Sequence, residues 1–135
     1  MTETPLRILL AEDDDHLATL VGTILDRDAR FTVVGRAPTG DDAVALCAEH
    51  EPDIVLMDIG MPGGDGIDAT RAIHARNRAQ HIVIYTGSDE YGDVARADDA
   101  GAVGYLHKGA LTSPELADAL HVLHSNYVSS VPHPD

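Results

Sequence analysis

The sequence predicts an α/β fold, a doubly wound sheet of five parallel strands with five helices, from three observations. Short aliphatic runs recur at residues 8–11, 32–35, 54–57, 82–85 and 103–106. Each is largely Ile, Val and Leu without polar alternation, as in strands covered on both faces. Helix-like segments at short spacing separate the runs.

The first strand, residues 8–11, leads into the acidic run Glu12, Asp13, Asp14 and Asp15. Leu17, Leu20, Val21, Ile24 and Leu25 then follow the i, i+3, i+4, i+7, i+8 rule of an amphipathic helix. After the second strand comes a helix containing Cys47, and the third strand ends at Asp58. Asp65 and Gly66 shape a turn before the third helix. Past the fourth strand, residues 88–100 offer only Tyr91, Val94, Ala97 and Ala100 as apolar anchors, so a loosely held helix is expected. The fifth strand precedes a start signal, Thr112-Ser113-Pro114-Glu115, and the helical repeat Leu116, Ala119, Leu120, Leu123. Residues 125–135 contain two prolines and no helical pattern. The expected organisation is one domain over residues 1–124, then a tail or cut linker over 125–135.

Composition narrows the function. Nine Lys and Arg stand against 23 Asp and Glu, a net charge of -14 that repels phosphate backbones and argues against direct nucleic-acid binding. No apolar run approaches the length of a membrane span. One cysteine excludes a disulfide within the chain and fits a reducing, cytoplasmic setting. The eight histidines are scattered and read as surface residues. His121 and His124 lie one turn apart but make a poor metal site by themselves.

In an open parallel sheet, reactive groups gather at the carboxyl ends of the strands, where strand order reverses. The residues there are Glu12 to Asp15, Asp58, Thr86 and Lys108. Carboxylates packed together repel, and a divalent cation with oxygen ligands, most simply Mg2+, relieves them. With that charge offset, one Asp can act as a nucleophile toward phosphorus, while Thr86 and Lys108 supply a hydrogen bond and a point charge to phosphoryl oxygens.

Four blocks in order, ILLAEDD, DIVLMDIGMPGGDG, IVIYTGS and GYLHKG, resemble the receiver domain of two-component response regulators. The resemblance runs from about Leu6 to Leu123 and implies a flavodoxin-like sheet in the order 2-1-3-4-5. It implies that Asp58 is the phosphoacceptor, taking a phosphoryl group from a histidine kinase or phosphotransfer protein. Glu12 and Asp13, with Asp58 and the backbone carbonyl of Gly60, match the Mg2+ ligands. Thr86 matches the switch hydroxyl, Lys108 the phosphate-binding lysine and Tyr105 the reorienting aromatic. A one-residue shift would make Asp14, in place of Glu12, the second acidic ligand. Residues 33–44 and GYLHKG are similar to receivers that precede a LuxR-type DNA-binding domain, so the chain is either a stand-alone receiver or part of a transcriptional regulator.

The implied protein is therefore no enzyme in its own right, catalysing only its own phosphorylation and dephosphorylation. Its expected partners beyond the kinase are an effector protein or a second copy. Gly60 and Ser88 are small, which opens a phosphoryl group to water and predicts a short lifetime. Lys108 is followed by Gly109 where many receivers have proline. A phosphohydrolase would need an acid two residues beyond Asp58, where Gly60 stands. A flavin carrier would need a Ser/Thr-rich loop after the first strand. A constitutive interaction module is the remaining alternative.

Overall fold

The computed structural model describes residues 4–61, 66–86, 91–107 and 115–130. Five strands form one parallel sheet in the order β2-β1-β3-β4-β5: β1 is Leu6–Ala11, β2 Phe31–Ala37, β3 Ile54–Asp58, β4 His81–Thr86 and β5 Gly104–His107. The helices are α1 (Asp15–Asp26), α2 (Gly40–His50), α3 (Gly66–Arg76), α4 (Tyr91–Ala100) and α5 (Glu115–Ser130).

Strand alternation divides the core between the two faces of the sheet. Ile8, Leu10, Ile54, Leu56, Val83 and Tyr85 join Val21 and Leu25 of α1 and Leu116 and Leu120 of α5. Leu9, Val55, Met57, Ile82 and Ile84 pack on the other face with Ala43 and Cys47 of α2, Ile73 of α3 and Ala97 of α4. Both faces are apolar, which is why the strands read as continuous aliphatic runs.

The helix ends are built from local chemistry. Asp14 caps α1, its side chain accepting the Leu17 amide at 3.0 Å, and Thr39 caps α2 through the Asp42 amide at 3.0 Å. Helix α2 ends on Glu51 at φ 48, where Arg7 Nη1 donates to the His50 and Glu51 carbonyls at 2.7 and 3.1 Å. Gly101 ends α4 at φ +111, a conformation suited to glycine, and a Cβ there would also strike the His74 ring.

Three expectations change. Leu20 points away from the core and is 43% exposed, since the buried face of α1 is Ala18, Val21 and Leu25. Helix α5 continues through Ser130, past residue 124, because no Gly or Pro interrupts it and the next proline is Pro132. Nor are the histidines all superficial. His81 begins β4 at 6% exposure, and its Nδ1 lies 2.6 Å from His124 Nδ1 on α5, a pairing between residues 43 positions apart. Of the apolar anchors expected on α4, Ala97 and Ala100 are buried and Val94 is 40% exposed, while the Tyr91 side chain lies outside those described. The start signal before Glu115 lies outside the described residues.

Candidate functional site

Strand order reverses between β1 and β3, whose carboxyl ends lie side by side with Ala11 opposite Met57. The next residues on these two strands are therefore neighbours: Glu12 after β1, Asp58 at the end of β3. One carboxylate oxygen from each of Glu12, Asp13 and Asp58 can be chosen so that all three lie within 4.8 Å of one another. Glu12 is fully buried, Asp58 is 3% exposed, and Asp13 faces solvent. Three carboxylates so close, two of them shielded from water, repel unless a cation stands between them. Their all-oxygen character suits a hard divalent ion such as Mg2+.

Asp14 has another task, because its side chain accepts the first-turn amide of α1. Its own amide donates to Glu12 Oε2 at 3.0 Å, so Asp14 buttresses Glu12 instead of joining the trio. The Glu12 backbone is equally held: its N–H donates to the Ala37 carbonyl at 2.9 Å and its carbonyl accepts Arg36 Nε at 3.0 Å. Arg36 also reaches Asp15 at 2.6 Å, and its Nη2 is buried with no hydrogen-bond partner among the described residues.

Two glycines shape the β3 side. The Gly60 amide donates to Asp58 Oδ1 at 3.3 Å, and a Cβ on Gly60 would meet nothing within 4 Å. Gly66 starts α3 with its amide on the Ile59 carbonyl at 2.9 Å, and a Cβ there would collide with the Asp58 carbonyl oxygen. Glycine is thus demanded by close approach to the backbone of Asp58.

Thr86 closes β4 opposite His107 of β5. Tyr105 is half-buried on β5 against the α2, α3 and α4 face, beside a groove shared with Val94 and Ala97. Lys108, Ser88, Asp65 and Gly109 lie outside the described residues. The larger groove, about 200 Å³ between α2 and α3, lies far from the acidic trio and contains Cys47, whose thiol burial pushes up in pKa. That environment disfavours a thiolate and gives Cys47 a packing role.

Tyr85 was not among the residues the sequence singled out. Alternation along β4 puts it on the α1 and α5 face with Val83, and its hydroxyl lies 3.0 Å from both the Ala11 carbonyl and Glu12 Oε1. Burial, and then the nearby charges of Glu12 and Asp58, drive its pKa far upward, so the phenol keeps its proton as a donor. A tyrosine following the aliphatic run Ile82 to Ile84, one residue before Thr86, was the available signal.

A 2-1-3-4-5 parallel sheet with acidic groups at the reversal point defines a receiver-type α/β domain. The family model described as the response regulator receiver domain matches residues 8–121, and the chain belongs to that family. It is 42% identical over 104 residues to the transcriptional regulatory protein PdtaR of Mycobacterium tuberculosis, covering 77% of this chain and 50% of that protein. To the response regulator UvrY of Escherichia coli it is 35% identical over 127 residues, covering 93% of this chain and 58% of UvrY. The chain thus spans about half the length of the curated relatives it matches. Among solved structures, the receiver domain of a putative NarL response regulator from Mycobacterium tuberculosis matches with TM-score 0.85 at 27% identity, covering 91% of this chain and 98% of that one. A LuxR-family response regulator from Aurantimonas matches with TM-score 0.84 at 32% identity, over 91% and 87% of the two chains. The described fold is thus that of a response-regulator receiver domain.

Proposed function

We propose that the domain is a two-component signalling switch thrown at Asp58, which accepts a phosphoryl group from a phosphohistidine on a kinase or phosphotransfer protein. A carboxylate oxygen of Asp58 forms the new P–O bond while the P–N bond to the donor imidazole breaks, its electron pair leaving with nitrogen. Glu12, Asp13, Asp58 and the Gly60 carbonyl hold Mg2+, which when bound offsets the charge gathered around the phosphorus. Lys108 and Thr86 take the remaining phosphoryl oxygens, and Tyr105 carries the change to the α4 side of the sheet. The phosphoryl group favours one of two conformations only through its differential contacts with them.

The observation that carries this reading is the convergence of Glu12, Asp13 and Asp58 at the strand-order reversal. The receiver ends within α5, which runs on to Ser130, and the residues beyond are read as a tail or linker. The setting is cytoplasmic, the output a protein partner or a second copy of the chain, and the longer relatives make a transcriptional regulator the natural parent. Among the described residues no helix is long and apolar enough to cross a membrane. The charge of -14 disfavours direct contact with nucleic acid.

The test is intact mass after incubation with Mg2+ and acetyl phosphate. A Mg2+-dependent gain of about 80 Da, labile to alkali and absent in Asp58→Asn, is the expected result. No adduct at short times, together with no beryllofluoride binding, would leave a constitutive interaction module as the function. A phosphohydrolase is disfavoured by Gly60, which offers no acidic side chain two residues past Asp58.

A further inference from the structure

Glu12 is held at both its backbone and its carboxylate. Its amide is engaged by β2, its carbonyl by Arg36, Oε2 by the Asp14 amide and Oε1 by the Tyr85 hydroxyl. The first three contacts come from the adjacent strand or from two residues along the chain. Tyr85 instead reaches Glu12 from β4, on the far side of β3, and ties the metal-side loop to a different part of the sheet.

The type of donor matters. A buried carboxylate needs hydrogen-bond donors, but an Arg or Lys in contact would neutralise it and compete with a divalent cation. A phenol orients the oxygen and adds no charge of its own. The ring carrying this hydroxyl is itself fully buried, in the same cluster as Leu10, Leu116 and Leu120, so the donor has little freedom to move. Its second contact, to the Ala11 carbonyl at 3.0 Å, lies on the residue immediately before Glu12.

We propose that Tyr85 is a positioning residue of the cation site: from β4 its hydroxyl holds the Glu12 carboxylate beside Asp13 and Asp58, so that a divalent ion meets a trio already assembled. This rests on the Mg2+-dependent reading of the trio given above. Outer-shell donors to metal ligands commonly contribute about tenfold or more in metal affinity.

Calorimetric titration of the full chain with Mg2+ tests it, using wild type, Tyr85→Phe, Glu12→Ala and the double variant. Tyr85→Phe is expected to weaken Mg2+ binding by about tenfold. The Mg2+ concentration for half-maximal phosphorylation by acetyl phosphate should rise further than the rate at saturating Mg2+ falls. With Glu12 already removed, losing the hydroxyl should change Mg2+ affinity by less than about twofold. Unchanged affinity in Tyr85→Phe, or an equal loss with and without Glu12, overturns the proposal while leaving the Mg2+ reading intact. A wild-type chain that neither binds Mg2+ nor accepts a phosphoryl group overturns that reading as well. Should Tyr85→Phe not fold, the wild-type chain labelled with 13C at the tyrosine ζ carbons carries the test. The Tyr85 signal must then shift with the calorimetric midpoint, and a signal that stays fixed through saturation overturns the proposal.

Discussion

At the scale of single residues, the site depends on positions where one atom decides the outcome. Gly66→Ala would drive a methyl group into the Asp58 carbonyl, so the backbone at the proposed phosphoacceptor must shift. We expect a loss of roughly 2 to 4 kcal/mol in urea unfolding and slower phosphorylation, against a gain of roughly 0.5 to 1 kcal/mol for Gly22→Ala inside α1, where a Cβ meets nothing within 4 Å. Gly60 is the opposite case, with open space at its Cβ. A long polar side chain there, as in Gly60→Gln, would screen the phosphoryl group from water and lengthen its lifetime severalfold, measured as decay of the mass adduct. His81 couples stability to pH. Burial, then the neighbouring His124, lowers its pKa from 6.5 to about 4, with Asp53 acting in the opposite direction. The unfolded chain therefore binds the proton first as pH falls, and His81 contributes stability above pH 6.5 that is lost progressively toward pH 4. Unfolding free energies from urea titration at pH 7 and pH 5 should differ less in His81→Gln than in wild type, by an amount on the order of 1 to 2 kcal/mol.

At the scale of elements, cohesion is uneven. Strands β1 and β3 are buried on both faces, whereas α4 has Ala97 and Ala100 as its buried side chains among those described, with Val94 substantially exposed. Few apolar contacts oppose its displacement, so its amides should exchange with solvent faster than those of β1, β3 or α1 by two or more orders of magnitude. Equal protection of α4 and β3 in native-state hydrogen exchange would contradict this. The small apolar face was legible in the sequence, because an Asp-rich segment whose apolar residues are mostly alanine has little to bury. The extension of α5 to Ser130 was not, since polar residues such as Ser125 and Asn126 lack apolar periodicity yet contain nothing that ends a helix.

At the scale of the whole molecule, the proposed Mg2+ site would couple folding to metal. With no cation bound, repulsion among Glu12, Asp13 and Asp58 destabilises the native state, and an ion that binds only the folded form adds about 2.7 kcal/mol at a hundredfold excess over its dissociation constant. Mg2+ should raise the melting temperature of wild type relative to EDTA. Asp13→Asn should be more stable than wild type in EDTA, by about 1 kcal/mol, and gain little from Mg2+. The sequence by itself determined the five strands, most helix positions and the carboxylates of the run Glu12 to Asp15 and of Asp58, because local periodicity and strand ends record them directly, while the choice within that run rested on the family resemblance. Tertiary structure decided what is made by residues far apart in the chain. Strand order and register place the Tyr85 hydroxyl on Glu12, the close pass of α3 behind β3 demands Gly66, and the docking of α5 brings His124 to His81. It also separated Asp14 from the trio, since one acidic run can either cap a helix or face a metal, and only the direction in which the chain leaves β1 assigns each carboxylate its task.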